Sequence, residues 1–219
     1  MSVSSCACGT SRPRRRAISP PASRFLQIAF RTGVAIPSGN ISAATNDAMS
    51  NDFGPQVPLL LELGVKVHPM IFLGAYGGPS FGWTGSDFSN AQCGSGSSRS
   101  CLGADWRVGL EVQVHFLPAE RFNPWIGYGL GFEAASAWAS GGGGAGTGIN
   151  LTGFELGRFA VGMDVRLSRY FGFGPFIGVD FGSYSHEHLQ GTGGSVDGSI
   201  ANTSLHEWTT LGVRAVLFP

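Results

Sequence analysis

DWRVGLEVQVHFLPAERFNPWIGYGLGF, residues 105–132, decides how the rest of the chain is read. Its first half alternates without a break. Trp106, Val108, Leu110, Val112, Val114 and Phe116 take one face, and Arg107, Gly109, Glu111, Gln113 and His115 take the other. A period of two is a β-strand, because successive Cβ atoms point to opposite sides of a sheet. After a break at residues 117–123 the alternation resumes, with Ile126, Tyr128, Leu130 and Phe132 against Gly127, Gly129, Gly131 and Glu133. The stretch reads as a hairpin with one wholly apolar face and one face of charge, polar groups and bare glycine. Either a protein core or lipid must cover the apolar face.

Outward from this hairpin the same period recurs, giving eight strand-like segments at residues 25–36, 57–67, 71–83, 105–116, 125–138, 152–167, 171–184 and 205–218. In the sixth, Phe154 and Leu156 fall out of phase with Phe159, Val161, Met163, Val165 and Leu167, which predicts a bulge near Gly157. The connections alternate in length. Short breaks lie around Pro69, at 117–123 and at 168–169; long, polar, Gly/Ser/Asn-rich ones lie at 38–56, 84–104, 139–150 and 185–204. An even strand number with short turns at one end and long loops at the other predicts an all-β, eight-stranded antiparallel up-and-down barrel. No run approaches the ~18 consecutive apolar residues of a membrane helix, so any crossing of a bilayer is by strands.

Two barrels fit this outline, a soluble lipocalin-like one with a greasy interior and a transmembrane one turned inside out. The minority face separates them. Arg31, Glu62, Lys66, Arg107, Glu111, Glu133, Arg158, Asp164, Arg166, Asp180 and Arg214 all alternate against the apolar set. They are nearly balanced in sign, and the positions between them are largely glycine. A water-facing strand surface has no need of glycine, which weakens strands. The chain has a single Lys, 13% charged residues and 35 Gly. Glycine beside long paired charges suits a narrow closed lumen in which large and small side chains interdigitate and each buried ion meets a partner. Aromatics near the ends of the apolar face, Trp83, Trp106, Phe116, Tyr128, Phe132, Phe171 and Phe181, sit where membrane-interface girdles belong. A transmembrane β-barrel is therefore expected over residues 25–219, with Arg and Glu inside. Leu110 and Met163 are expected to face lipid, and Gln113 to tolerate change better than either.

Residues 1–24, which include SRPRRRAISPPASR, show no periodicity and read as a disordered leader. Arg14–Arg16 are not followed by an apolar h-region, so no secretory signal is read there, and a misassigned start is expected to account for this.

The strand texts LELGVKVHP, WRVGLEVQVHF, PWIGYGLGFE, RFAVGMDVRLS, FGFGPFIGVDFG and TLGVRAVLF resemble those of small bacterial outer-membrane β-barrel proteins, similar to the eight-stranded transmembrane domain of outer membrane protein A. The resemblance covers about residues 25–218. It implies a bacterial outer-membrane location, outer-membrane lipid and lipopolysaccharide as surroundings, a monomer, and insertion by the barrel-assembly machinery. Such barrels commonly end in an aromatic residue that the machinery reads; Phe218 takes that place here, followed by Pro219.

Net charge of zero argues against a nucleic-acid partner. His186 and His188 in the last long loop, with His206 at its edge, have the residue types of a metal site but read more simply as solvated loop groups. Ser204, His206 and Glu207 are too close along one strand to build a nucleophile–base–orienter geometry, and no G-x-S-x-G is present, so no enzyme activity, cofactor or metal is expected. Cys93 and Cys101 bracket GSGSSRS, flexible enough to close a disulfide in an oxidising compartment. The expected role is a structural or surface-interaction barrel displaying four loops outside the cell. A narrow channel or lateral-exit route for small apolar solutes is the alternative, and a soluble lipid binder the third.

Overall fold

In the computed structural model, which describes residues 26–43, 47–141, 146–191 and 193–218, ten strands and two short helices follow one another. They are β1 (Leu26–Ser42), β2 (Asp47–Ala48), α1 (Met49–Asp52), β3 (Phe53–His68), β4 (Ile71–Thr84), α2 (Ser86–Cys93), β5 (Arg99–His115), β6 (Phe122–Gly141), β7 (Thr147–Arg166), β8 (Phe171–Gly191), β9 (Gly194–Ser199) and β10 (His206–Leu217). The expected leader with Arg14–Arg16, Phe25, residues 142–145 and Pro219 lie outside the described residues.

Eight strands form the barrel. Each pairs antiparallel with its neighbours in the order β1, β3, β4, β5, β6, β7, β8, β10, and β10 returns to β1 from Ile28↔Leu217 to Gly39↔His206. Closure leaves no open edge in the wall, the condition for placing strands in hydrocarbon, where no water satisfies a bare N–H or C=O. The expected bulge near Gly157 is present: the registers of β7 with both neighbours shift between Glu155 and Arg158.

The faces are arranged as in a membrane barrel. Phe30, Leu63, Leu73, Leu110, Leu130, Phe159, Ile177 and Leu211 point outward and are exposed, Leu110 at 70%. On β8 this outer apolar face runs from Phe171 to Phe181, and none of its outward positions is charged. Eleven residues at ~3.3 Å each, tilted ~45°, give a band about 25 Å tall, the height of a bilayer's hydrocarbon belt. The soluble lipocalin-like reading fails on this orientation.

Strands extend farther than the alternation indicated. β6, β7 and β8 run past the belt into segments expected as loops, and β9 adds a strand to β8 from His186↔Ser199 to Gly191↔Gly194. Above the lipid neither face must be strongly apolar, so Ser, Thr, Ala, Gly and His alternate there without visible contrast. The expected loop at 84–104 likewise contains α2 and the start of β5.

Candidate functional site

Inside the belt the lumen is filled by two tiers of charge. In the lower one, toward the short turns, Arg214 reaches Asp164 Oδ2 through Nη1 (2.6 Å) and Glu62 Oε2 through Nη2 (2.9 Å). Arg31 pairs with Glu62 and lies 3.5 Å from Glu111 Oε2. Gln113 ties these together: its amide nitrogen donates to Glu62 (3.0 Å) and Glu111 (2.8 Å), and its oxygen accepts from Arg214 (3.0 Å). Trp125 completes the tier. Its ring carries both Arg31 and Arg214 guanidinium groups at 4.8 Å, and its N–H donates to Asp164 (3.2 Å). Gln113 is thus fully buried at the centre of a network, a placement that runs against the tolerance expected of it.

In the upper tier Arg107 is held by Asp105 (2.7 Å), Asp180 and Glu133, and Arg158 by Asp180 (3.6 Å). Glu133 meets four side chains, Arg107 among them. It accepts from Tyr184 Oη (2.5 Å) and Trp208 Nε1 (2.8 Å), and lies 3.1 Å from His206 Nε2. The Arg158 guanidinium covers Tyr76, 4.6 Å from the ring centre. Tyr76 explains part of the glycine face: a Cβ on Gly109 would stand 2.5 Å from its hydroxyl, and one on Gly131 2.8 Å. At the lower mouth Lys66 and Arg166 sit over Phe218, and Arg166 donates to the Pro118 carbonyl (2.6 Å).

All eleven charges expected in the lumen thus point inward, nine of them in the two tiers and Lys66 and Arg166 at the mouth. The sequence reading omitted Asp105, Glu155, Tyr76, Trp125, Tyr184, His206 and Trp208, all buried. Asp105 shares the parity of Arg107 and was recoverable on that ground. Glu155 sits beside the bulge, where parity breaks.

Above the tiers the interior changes character. Met49 and Phe53, fully buried, pack with Ile41, Ala35, Ala135, Ala137, Leu151, Tyr184 and Trp208 into an apolar cap, with Phe88, Ile149 and Ile200 against it. α1 brings Met49 into this cap from the β1–β3 connection, and α2 packs on α1. The loops are tied to one another: Gly85 N–H donates to the Asp52 carbonyl (2.7 Å) and Ala43 N–H to that of Asn202 (2.9 Å). Burial, with Asp47 and Asp87 nearby, pushes the Asp52 carboxyl up to about 6. Cys93 and Cys101 form a disulfide, Cα atoms 6.1 Å apart, fastening the end of α2 to β5.

The two loop constellations divide. His206 faces the lumen, while Glu207 faces out and accepts from Ser38 Oγ (2.8 Å). His188 pairs with Asp197 across β8–β9 (2.5 Å) and is separate from His206. No group of three or more metal-ligating side chains occurs among the described residues.

A scan against protein-family models and a search of curated proteins find no match. Solved structures do match. The outer membrane protein AlkL, determined by solid-state NMR in DMPC bilayers, aligns at a TM-score of 0.50 and 16% identity over 100% of this chain and 98% of AlkL. OprG of Pseudomonas aeruginosa aligns at 0.49 and 10% identity, over 91% of this chain and 99% of OprG. A major outer membrane protein of Thermus thermophilus gives 0.49 and 13%, over 88% and 98%. The AlkL likeness concerns fold, and together with the strand ring it gives the architecture plainly: an eight-stranded outer-membrane-type β-barrel.

Proposed function

We propose that this chain resides in the bacterial outer membrane as a barrel closed to flux, and that it works by presenting the surface built on its long-loop end to the outside of the cell. The observation that carries this reading is the double closure of the interior. Eight strands leave a lumen just wide enough for side chains to fill. Here Arg31, Glu62, Arg214, Asp164, Arg107 and Asp180 fill it as ion pairs, and the Met49/Phe53 cap covers them. An ion entering would have to displace paired charges from one another, each of which carries a desolvation penalty of several kcal/mol when left alone. Outside, the loops are knitted into strands, two helices and a disulfide, a defined surface suited to contact. On this reading the barrel is monomeric, is inserted by the barrel-assembly machinery, and has no catalytic role.

Planar-bilayer recording of the full-length protein tests it. Current at the level of the bare membrane is the expected result; stable ohmic steps at neutral pH would replace the display reading with the channel reading. One observation favours the lateral-route alternative. An apolar depression of about 470 Å³ lies in the outer wall between Val112, Tyr128, Phe159 and Ile177, where Gly127 and Gly178 thin it. Uptake of a small apolar dye by vesicles carrying the barrel, faster than by empty vesicles, would support that alternative.

A further inference from the structure

On the outer face of β7 and β8 the apolar belt gives way to a polar pad within two residues of each strand, and β9 extends the pad. Cross-strand register places Phe132, Phe154 and Ser183 in one row, Ala134, Thr152, His186 and Ser199 in the next, and Ser136, Asn150, His188 and Asp197 in the one after. Two depressions follow this step and share Thr152 and His186. The lower, about 340 Å³, is floored by Trp106, Phe132 and Phe154; the upper, about 390 Å³, by Asn150, His188, Asp197 and Ser199. The upper groups are held in place: His188 Nδ1 is 2.5 Å from Asp197 Oδ1, and His186 Nδ1 is 3.0 Å from Ser185 Oγ. Together the depressions form one groove with an apolar lower half at lipid height and a hydrogen-bonding upper half just above it.

We propose that this groove binds a sugar-headed lipid of the outer leaflet, an acyl chain lying on Phe132 and Phe154 and the sugar hydroxyls bonding to Asn150, Thr152, His186 and His188. The inference rests on the reading that the long-loop end faces outward. The amphiphile is required by the step from apolar to polar floor along single strands. The sugar is favoured over a phosphate head by charge: among the described residues no Arg or Lys lines either depression, whereas Glu187 and Asp197 do line the upper one. Amide, imidazole, hydroxyl and carboxylate groups together offer both donors and acceptors, as a sugar's hydroxyls demand. The exposed indole of Trp106 adds an apolar flank at the junction.

The test uses the full-length protein in phosphatidylcholine nanodiscs doped equally with dioleoyl monoglucosyl-diacylglycerol and dioleoyl phosphatidylglycerol, identical in their chains. Native mass spectrometry of the released barrel should show the glucolipid retained in about 10-fold excess, equivalent to about 1.4 kcal/mol. Asn150→Ala with His188→Ala should bring that ratio to parity, while His68→Ala, at the short-turn end, should leave it unchanged. A photoreactive group on the glucose should cross-link wild-type protein within residues 150–152 and 186–199, a readout that needs no variant. Equal retention of both lipids, or cross-links elsewhere, would overturn the inference. Electrophoretic mobility before and after boiling checks the barrel separately: an unshifted band overturns the membrane reading and this inference with it, whereas a shifted band with equal lipid retention overturns only the latter.

Discussion

Where lipid covers the outside of the wall the interior is charged, and where water covers the outside the interior is apolar. The exchange is visible within single strands. On β6, Phe132 faces out and Glu133 in; four residues later Ser136 faces out while Ala135 and Ala137 face in. β8 repeats it, from Ile177 outside and Asp180 inside to Ser183 outside and Tyr184 inside. Over these stretches of β6 and β8 the strand parity holds; only the residue types swap. Each face therefore answers to its own solvent, and the interior takes what the exterior cannot hold. Within the belt a charge facing hydrocarbon would cost several kcal/mol, so the polar groups turn inward and must pair. Above it the ordinary soluble arrangement returns, with Met49 and Phe53 as a small hydrophobic core.

The two interiors should respond differently to damage. Arg214→Ala strikes the charged one hardest, because Asp164 is left buried without its ion-pair partner and Glu62 with one of its two. A loss of about 3–5 kcal/mol is expected in urea refolding titrations into vesicles, and a loss below about 1 kcal/mol would mean that the tier is not dry. Leu110→Arg, on the lipid face, should cost about 2–4 kcal/mol if it lies near the midplane. The same substitution introduced at Ser136 should be nearly silent, and equal costs at the two sites would erase the boundary drawn above. Met49→Ala should remove about 2 kcal/mol or more from the cap. Amide exchange should quicken at residues 49–53 and remain slow in β5 and β6; uniform quickening would show that cap and lumen unfold as one.

The smallest effect concerns pH, and it belongs to the cap alone. The Asp52 carboxyl, raised to about 6, binds its proton more tightly in the folded loop than in the unfolded chain. Its contribution is therefore full below the ordinary carboxylate range and is lost as pH rises through about 6. Exchange at residues 49–53 should be slower at pH 4.5 than at pH 7.5, and Asp52→Asn should flatten the difference. A cap that loosens on acidification would reverse the assignment.

The belt was legible because lipid imposes the sharpest contrast a strand can carry: Val108, Leu110 and Val112 against Arg107, Gly109 and Glu111 admit one reading. The cap was not: Ala135 and Ala137 lie in a segment that reads as strand, but beside Ser136 and Trp138 they do not mark an apolar interior until their register with Leu151 and Ile149 is known. The face of each lumen charge could be read, but not its partner. Arg214 meets Asp164 and Arg107 meets Asp180 across the barrel, at sequence distances of 50 and 73, and only closure sets those pairs. Gln113 shows the cost of this gap. Parity placed it inside, where it looked replaceable, but three charged partners converge on it.

The central claim is that β5 turns its apolar face to lipid and its charged face to a closed lumen. A photoactivatable carbene carried in the middle of the lipid chains tests this on the unmodified protein, with sites of insertion read by tandem mass spectrometry. The account predicts labels on Val108, Leu110, Val112 and Val114, and none on Arg107, Glu111 or Gln113. Labels on the charged set, or on both sets alike, would contradict it.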